Sequence, residues 1–182
     1  MSALPIKWLL RSLLSVALLL SLIPAHAAEP YSKEGISFSL PAGWFVSEDE
    51  EADNARFIVV ENDADAVFII HSYRKQRADE APVALEAYAN WNAGSRQEAT
   101  TGAKRDLGSF NAISLEIAGK PYSGIRNEFS TRVLHLSLAH RSDYFLLESD
   151  HLVAYASSQA PTAEAEEIAD EFALLLDSIQ LD

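Results

Sequence analysis

The chain has no cysteine and only seven glycines in 182 residues, and its 27 aspartates and glutamates outnumber its 14 lysines and arginines. Without cysteine there can be no disulfide staple, no thiol nucleophile, no thiolate metal site and no lipid anchor on an acylated cysteine. The scarce glycines form neither G-x-G-x-x-G nor a P-loop, so nucleotide binding has no sequence handle. G-x-S-x-G and H-E-x-x-H are also missing, which leaves a hydrolase without a motif. The shortage of positive charge disfavours nucleic acid and anionic membrane surfaces, because a chain of net charge −13 is repelled by both.

Long apolar runs are lacking too. The run from Leu13 to Ile23 is 11 residues, whereas a helix that spans a bilayer needs about 20. With Lys7 and Arg11 before it and Ala25-His26-Ala27 after it, this stretch has the three parts of a cleaved secretory signal. The expected product is a periplasmic or secreted protein that begins near Ala28, with no membrane span after cleavage. Residues 28–182 then form one domain, large enough for a single apolar core. Removing a segment that carries two bases and no acid moves the net charge to −15.

Acid is concentrated in two places. Residues 47–65 hold Glu48, Asp49, Glu50, Glu51, Asp53, Glu61, Asp63 and Asp65 against Arg56, and residues 161–182 hold seven acids and no base. The stretch from Glu48 to Asn54 is too charged to pack and is expected to be a solvated loop. Residues 74–105 have six bases and four acids, a local excess that can pair with the protein's own acids or with an anionic partner.

Ile36, Phe38 and Leu40 alternate with serines and predict a half-buried strand, and Pro41-Ala42-Gly43 turns the chain toward Trp44. Phe57 to Val60 and Val67 to Ile70, joined by Asn62 to Asp65, read as a hairpin covered on both faces. Residues 82–93 read as an amphipathic helix that Pro82 starts and Gly94 ends. Short strands follow near Arg105–Phe110, Ile113–Ile117, Leu134–Leu138, Tyr144–Leu147 and Leu152–Ala156, with turns at Gly119-Lys120-Pro121, Arg141-Ser142-Asp143 and Ser149-Asp150. A closing helix begins at Pro161-Thr162, with Ala165, Ile168, Phe172, Leu175, Leu176 and Ile179 as its apolar stripe. Short links between strands, and helices with an apolar face to bury, give an α+β sandwich built on an antiparallel sheet.

The pattern Gly35-x-x-Phe38-x-x-Pro41-x-Gly43-Trp44, with the later strands, the helix-starting Pro161 and the final Ser178-Ile179, resembles the PsbP-like superfamily of PsbP, DcrB-like lipoproteins and Eag-type chaperones. The resemblance implies an antiparallel sheet flanked by helices in an α/β/α sandwich, and an accessory or binding role. The missing cysteine sets the chain apart from the DcrB-like lipoproteins, and the export signal from the cytoplasmic chaperones.

No residue is assigned a catalytic, cofactor or metal role. His71, His135, His140 and His151 fall in no ligand spacing, and Asp63-x-Asp65 reads as turn chemistry, because the glycine and distal glutamate of a calcium loop are missing. His135, between Leu134 and Leu136, is expected to point away from the apolar layer. The leading expectation is a non-catalytic envelope accessory protein that contacts another protein with a basic surface. An immunity-like inhibitor of a periplasmic toxin is its specific form. The candidate contact residues are Glu48, Asp49, Glu50, Glu51 and Asp53, with Trp44 either on a pocket rim or in the core. A cation or small-ligand binder is the alternative and a hydrolase the least favoured class. On expression in a Gram-negative host, N-terminal sequencing of the periplasmic product should begin near Ala28; a cytosolic product that keeps Met1 would overturn the export reading.

Overall fold

The computed structural model describes residues 29–77, 79–99 and 103–182, without the side chains of 96–99, 103–105 and Val133. The expected export signal, residues 1–27, lies outside the described residues. Among the described residues ten strands and two helices follow one another: β1 (Glu29–Lys33), β2 (Ile36–Leu40), β3 (Phe45–Ala52), β4 (Ala55–Glu61), β5 (Val67–Arg74), α1 (Leu85–Ala99), β6 (Ala103–Ile117), β7 (Lys120–Val133), β8 (Leu136–Glu148), β9 (Leu152–Pro161), α2 (Ala169–Ser178) and β10 (Gln180–Leu181). A seven-stranded antiparallel sheet has the order β3-β4-β5-β9-β8-β7-β6, and a three-stranded sheet the order β1-β2-β10. This is the expected α+β arrangement. Among the described residues no helix is long and apolar enough to cross a membrane.

The large sheet has two differently furnished faces, because side chains alternate along each strand. One face carries Ile58, Val60, Phe68, Ile70, Phe145 and Ala156, and packs against β2 and α2 through Ile36, Phe38, Leu40, Leu175 and Leu176. The opposite face is aromatic, with Tyr144, Val153 and Tyr155 beneath Tyr88 and Ala89 of α1. Tyr88 stacks on Tyr155 at 3.9 Å between ring centroids, and His71 lies against Phe57, Tyr88 and Trp91. Burial pushes the His71 pKa below its ordinary value.

Trp44 belongs to the core and is only 5% exposed. Its backbone N–H donates to the Pro41 carbonyl, closing a turn in which Gly43 takes φ +82°. Its indole packs edge-on against Phe172 of α2, and its Nε1–H donates to Glu171 at 2.8 Å. The turn therefore delivers a large ring that ties the β2–β3 corner to the last helix.

Several local expectations are corrected. Glu48 to Asn54 is not a loop: Glu48 to Ala52 form part of β3, paired with β4, and the chain reverses at Asp53-Asn54, both at positive φ. Arg141-Ser142-Asp143 is not a turn but lies inside β8. The two short strands expected between 105 and 117 are one, β6, interrupted between Asp106 and Ser109. There Gly108 has φ +64°, and a Cβ on it would stand 1.7 Å from the Glu128 carbonyl oxygen, so the irregularity requires glycine. Strand β7 carries too little apolar alternation to be recognised beforehand.

The helix boundaries shift as well. Tyr155 donates its hydroxyl hydrogen to the Val83 carbonyl at 2.7 Å and pins that segment to the sheet, so α1 begins at Leu85 and not at Pro82. It continues through Gly94. Pro161 ends β9, and residues 162–168 form successive turns before α2 begins at Ala169.

Two outcomes test these placements. Trp44→Ala should destabilise the fold by about 3–5 kcal/mol, as for large-to-small changes of buried aromatics; urea unfolding with a loss under about 1 kcal/mol would return Trp44 to the rim of a site. His71, whose pKa is depressed on folding, resists protonation when folded, so its contribution is present above its ordinary value near 6.5 and is lost as pH falls through the folded value. His71→Phe should therefore lose less stability than the parent between about pH 7 and 5, measured as Tm against pH.

Candidate functional site

The acidic segment is divided by the alternation of β3. Asp49 turns inward, where it accepts from Tyr31 at 3.1 Å, Lys33 at 3.0 Å and Arg56 Nη2 at 2.6 Å. Burial by itself would raise the Asp49 pKa, but the hydrogen bonds from Lys33, Arg56 and Tyr31 together hold it below the ordinary carboxylate value. The buried Arg56 also meets Glu34 at 3.2 Å and Glu51 at 3.7 Å, which fastens the β1–β2 turn to the large sheet. Glu48, Glu50 and Asp53 are exposed. Because β3 is an outer strand of its sheet, Glu48 and Glu50 lie along a free edge. Of the candidate contact residues, Glu48, Glu50, Glu51 and Asp53 stand on the surface, while Asp49 belongs to an internal ion network and Trp44 to the core.

The basic stretch pairs in part with the protein's own acids: Arg74 meets Glu34, Lys75 meets Glu148 and Arg77 meets Asp79. The side chains of Arg96, Lys104 and Arg105 lie outside the described set. The histidines are dispersed. His71 is in the aromatic layer, His140 stacks on Phe129 at 5.2 Å, and His135 and His151 are exposed. Among the described residues no group of three or more His, Asp or Glu side chains could hold a metal ion. Asp63 and Asp65 occupy the β4–β5 turn, where Asn62 Oδ1 accepts from the Ala64 and Ala66 backbone N–H groups.

Two features emerge that the one-dimensional pattern does not place. The first is the tip of the β7–β8 hairpin. Leu134 and His135 form its two-residue turn, and Leu134 takes φ +56°, a conformation for which glycine, asparagine or aspartate is the usual choice. Leu134 is 87% exposed, Leu136 59% and Leu138 54%. These leucines were expected to face an apolar layer, and instead they stand in solvent. The expectation failed because no Gly, Asn or Pro marks the reversal, so a leucine-rich alternation reads as the middle of a strand.

The second is a cavity of about 290 Å³ between the large sheet and α2. Its apolar wall includes Phe68, Leu115, Phe145, Phe172 and Leu176, and its polar wall Arg126, Asp143, Arg141 and Glu166. Arg126 donates to Asp143 through Nε at 2.8 Å and Nη2 at 2.9 Å, a bidentate pair across β7 and β8. Arg141 donates to the Ala165 carbonyl through Nη2 at 3.0 Å and through Nη1 to Glu166. The Arg141 side chain is 12% exposed and that of Glu166 is 80% exposed. The hydrogen bond and charge of Arg141 hold the Glu166 pKa below the usual carboxylate range. Sequence alone cannot assemble this group, because it depends on the register that sets Arg126 opposite Asp143, and on Arg141 lying within β8.

No protein-family model and no curated protein sequence matches the chain. Among solved structures it is similar to the PsbP protein of the cyanobacterium Synechocystis sp. PCC 6803, CyanoP, with 13% identity and a TM-score of 0.54 over 89% of this chain and 96% of that one. A protein from Bacteroides thetaiotaomicron VPI-5482 shows 10% identity and a TM-score of 0.49; 86% of this chain is covered, and it spans about half (49%) of that protein. LpqN of Mycobacterium tuberculosis, involved in cell envelope biogenesis, shows 13% identity and a TM-score of 0.40 over 87% of each chain. At such identities the likeness is one of architecture, and the antiparallel sheet with its flanking helices is a PsbP-like fold.

Proposed function

We propose that this protein is an exported, non-catalytic accessory protein of the cell envelope, which acts by contact with another protein through the tip of its β7–β8 hairpin. The leucine at positive φ carries this reading. A bulky residue in that conformation costs on the order of 1–3 kcal/mol, and here it buries nothing, since Leu134 is 87% exposed. A cost without an internal return points to a use outside the molecule. Leu136 and Leu138 extend the apolar surface along β8, in a chain whose segments 47–65 and 161–182 are rich in acid. The export reading rests on the leader-like segment, and the accessory role on the PsbP-like architecture together with the lack of catalytic motifs.

The exposed acids Glu48, Glu50 and Asp53 favour a partner with basic character, since complementary charge speeds encounter and excludes wrong partners. An immunity-like inhibitor would be a special case of this reading, with a basic toxin as partner; only the acid-rich surface favours it.

Leu134→Gly separates stability from contact. The substitution should leave Tm unchanged or raise it, because glycine relieves the backbone, while Leu134→Gly/Leu136→Ser should abolish partner capture. A photo-crosslinking side chain at position 134, in living cells, should give one discrete protein adduct that the same probe at Ala64 does not. No adduct, or the same adducts at both positions, would sink the reading.

A further inference from the structure

The cavity between β7, β8 and α2 lies on the face of the large sheet opposite to that of Leu136 and Leu138, so it calls for its own account. Its lining combines the phenyl rings of Phe68, Phe145 and Phe172 with two arginines, Arg126 and Arg141. The arginines are not equivalent. Arg126 is held bidentately by Asp143, whose side chain is only 10% exposed, and that pair is a fixed part of the wall. Arg141 is mostly shielded, with its side chain 12% exposed, yet its counter-ion Glu166 stands largely in solvent, 80% exposed. A glutamate so placed can turn outward into water without desolvation or loss of packing. Its departure would leave a largely buried guanidinium Nη1 facing an apolar cavity, with the charge at the polar wall changed from balanced to +1.

We propose that the cavity binds a small amphipathic carboxylate, whose head replaces Glu166 on Arg141 while its apolar part rests on Phe68, Phe145 and Phe172. Charge complementarity selects the head, because a guanidinium fork matches a carboxylate in shape as well as sign. Size selects the rest: about 290 Å³ lies at the small end of ligand cavities, which run from roughly 300 to 1,000 Å³. A short apolar part is therefore enough to fill it. Glu166 acts as a built-in competitor that neutralises Arg141 while the site is empty, and it remains ionised at neutral pH to do so.

Octanoate is a suitable probe, with octylammonium and octanol as controls that share its apolar part but not its charge. Titration followed by amide chemical shifts should show octanoate, and neither control, perturbing residues of β7, β8 and α2. Glu166→Ala removes the competitor and should tighten octanoate binding several-fold; Arg141 keeps its hydrogen bond to the Ala165 carbonyl, and the Tm of the variant checks that the fold is intact. Arg141→Gln should weaken binding at least about tenfold, the loss expected for a charge-assisted hydrogen bond. Arg141→Lys, which keeps the charge but loses the fork, should fall between the parent and Arg141→Gln. No binding of octanoate at millimolar concentration overturns the proposal, as does equal binding of octanoate and octylammonium, or an affinity that Glu166→Ala leaves unchanged. The hairpin-tip contact stands or falls separately, since none of these variants touches Leu134.

Discussion

Everything in the large sheet depends on the pairing of β5 with β9. The strands before it, β3 to β5, form one antiparallel meander, and those after α1, β6 to β9, form another; each is closed by short hairpin turns. Among the described residues, the one strand ladder that joins the two sets Ile70 against Ala156 and Tyr73 against Val153. That ladder closes a long loop, a cost that grows slowly with length, and it is offset by burial on both faces of both strands. Isoleucine and phenylalanine of β5 face α2 and β2, and Tyr155 of β9 faces α1. Half of β9 consists of small residues, Ala154, Ala156, Ser157, Ser158 and Ala160. They let the flanking layers approach closely at the centre of the sheet, and the neighbouring strands supply the larger rings.

Much of this architecture was legible in the residues. Continuous apolar runs marked β4 and β5, the alternation in Ile36 to Leu40 marked β2, and the apolar stripe of Phe172, Leu175 and Leu176 marked α2. What escaped was set by long-range pairing. Acids on β3 look like a solvated loop until Arg56, Lys33 and Tyr31 are brought against Asp49 by the neighbouring strands. Arg141, Ser142 and Asp143 look like a turn until Arg126 meets Asp143 across the ladder. Polar side chains signal solvent only when nothing else in the fold answers their charge. The candidate sites were less legible still, since both the leucine tip and the arginine-lined cavity exist only once register is fixed.

The two faces of the sheet thereby acquire separate characters from one strand. In β8 the even-numbered residues run from Leu136 and Leu138 through His140 to Tyr144, on the side of α1, and the odd-numbered ones place Arg141, Asp143 and Phe145 toward α2. A slip of one residue would exchange them. The bidentate Arg126–Asp143 pair and the Gly124 position, where a Cβ would come within 2.6 Å of the Phe145 ring, both resist such a slip.

The free edge of β3 has a consequence for the protein in company. An unpaired strand is a template on which a second molecule can add its own. With Glu48 and Glu50 along that margin, two such edges brought side by side would oppose like charges at every attempt, so the ladder that completes this sheet inside one molecule is denied to its neighbours. Acidity that resembles mere solubility in the composition becomes, in the fold, a guard against fibrous self-assembly.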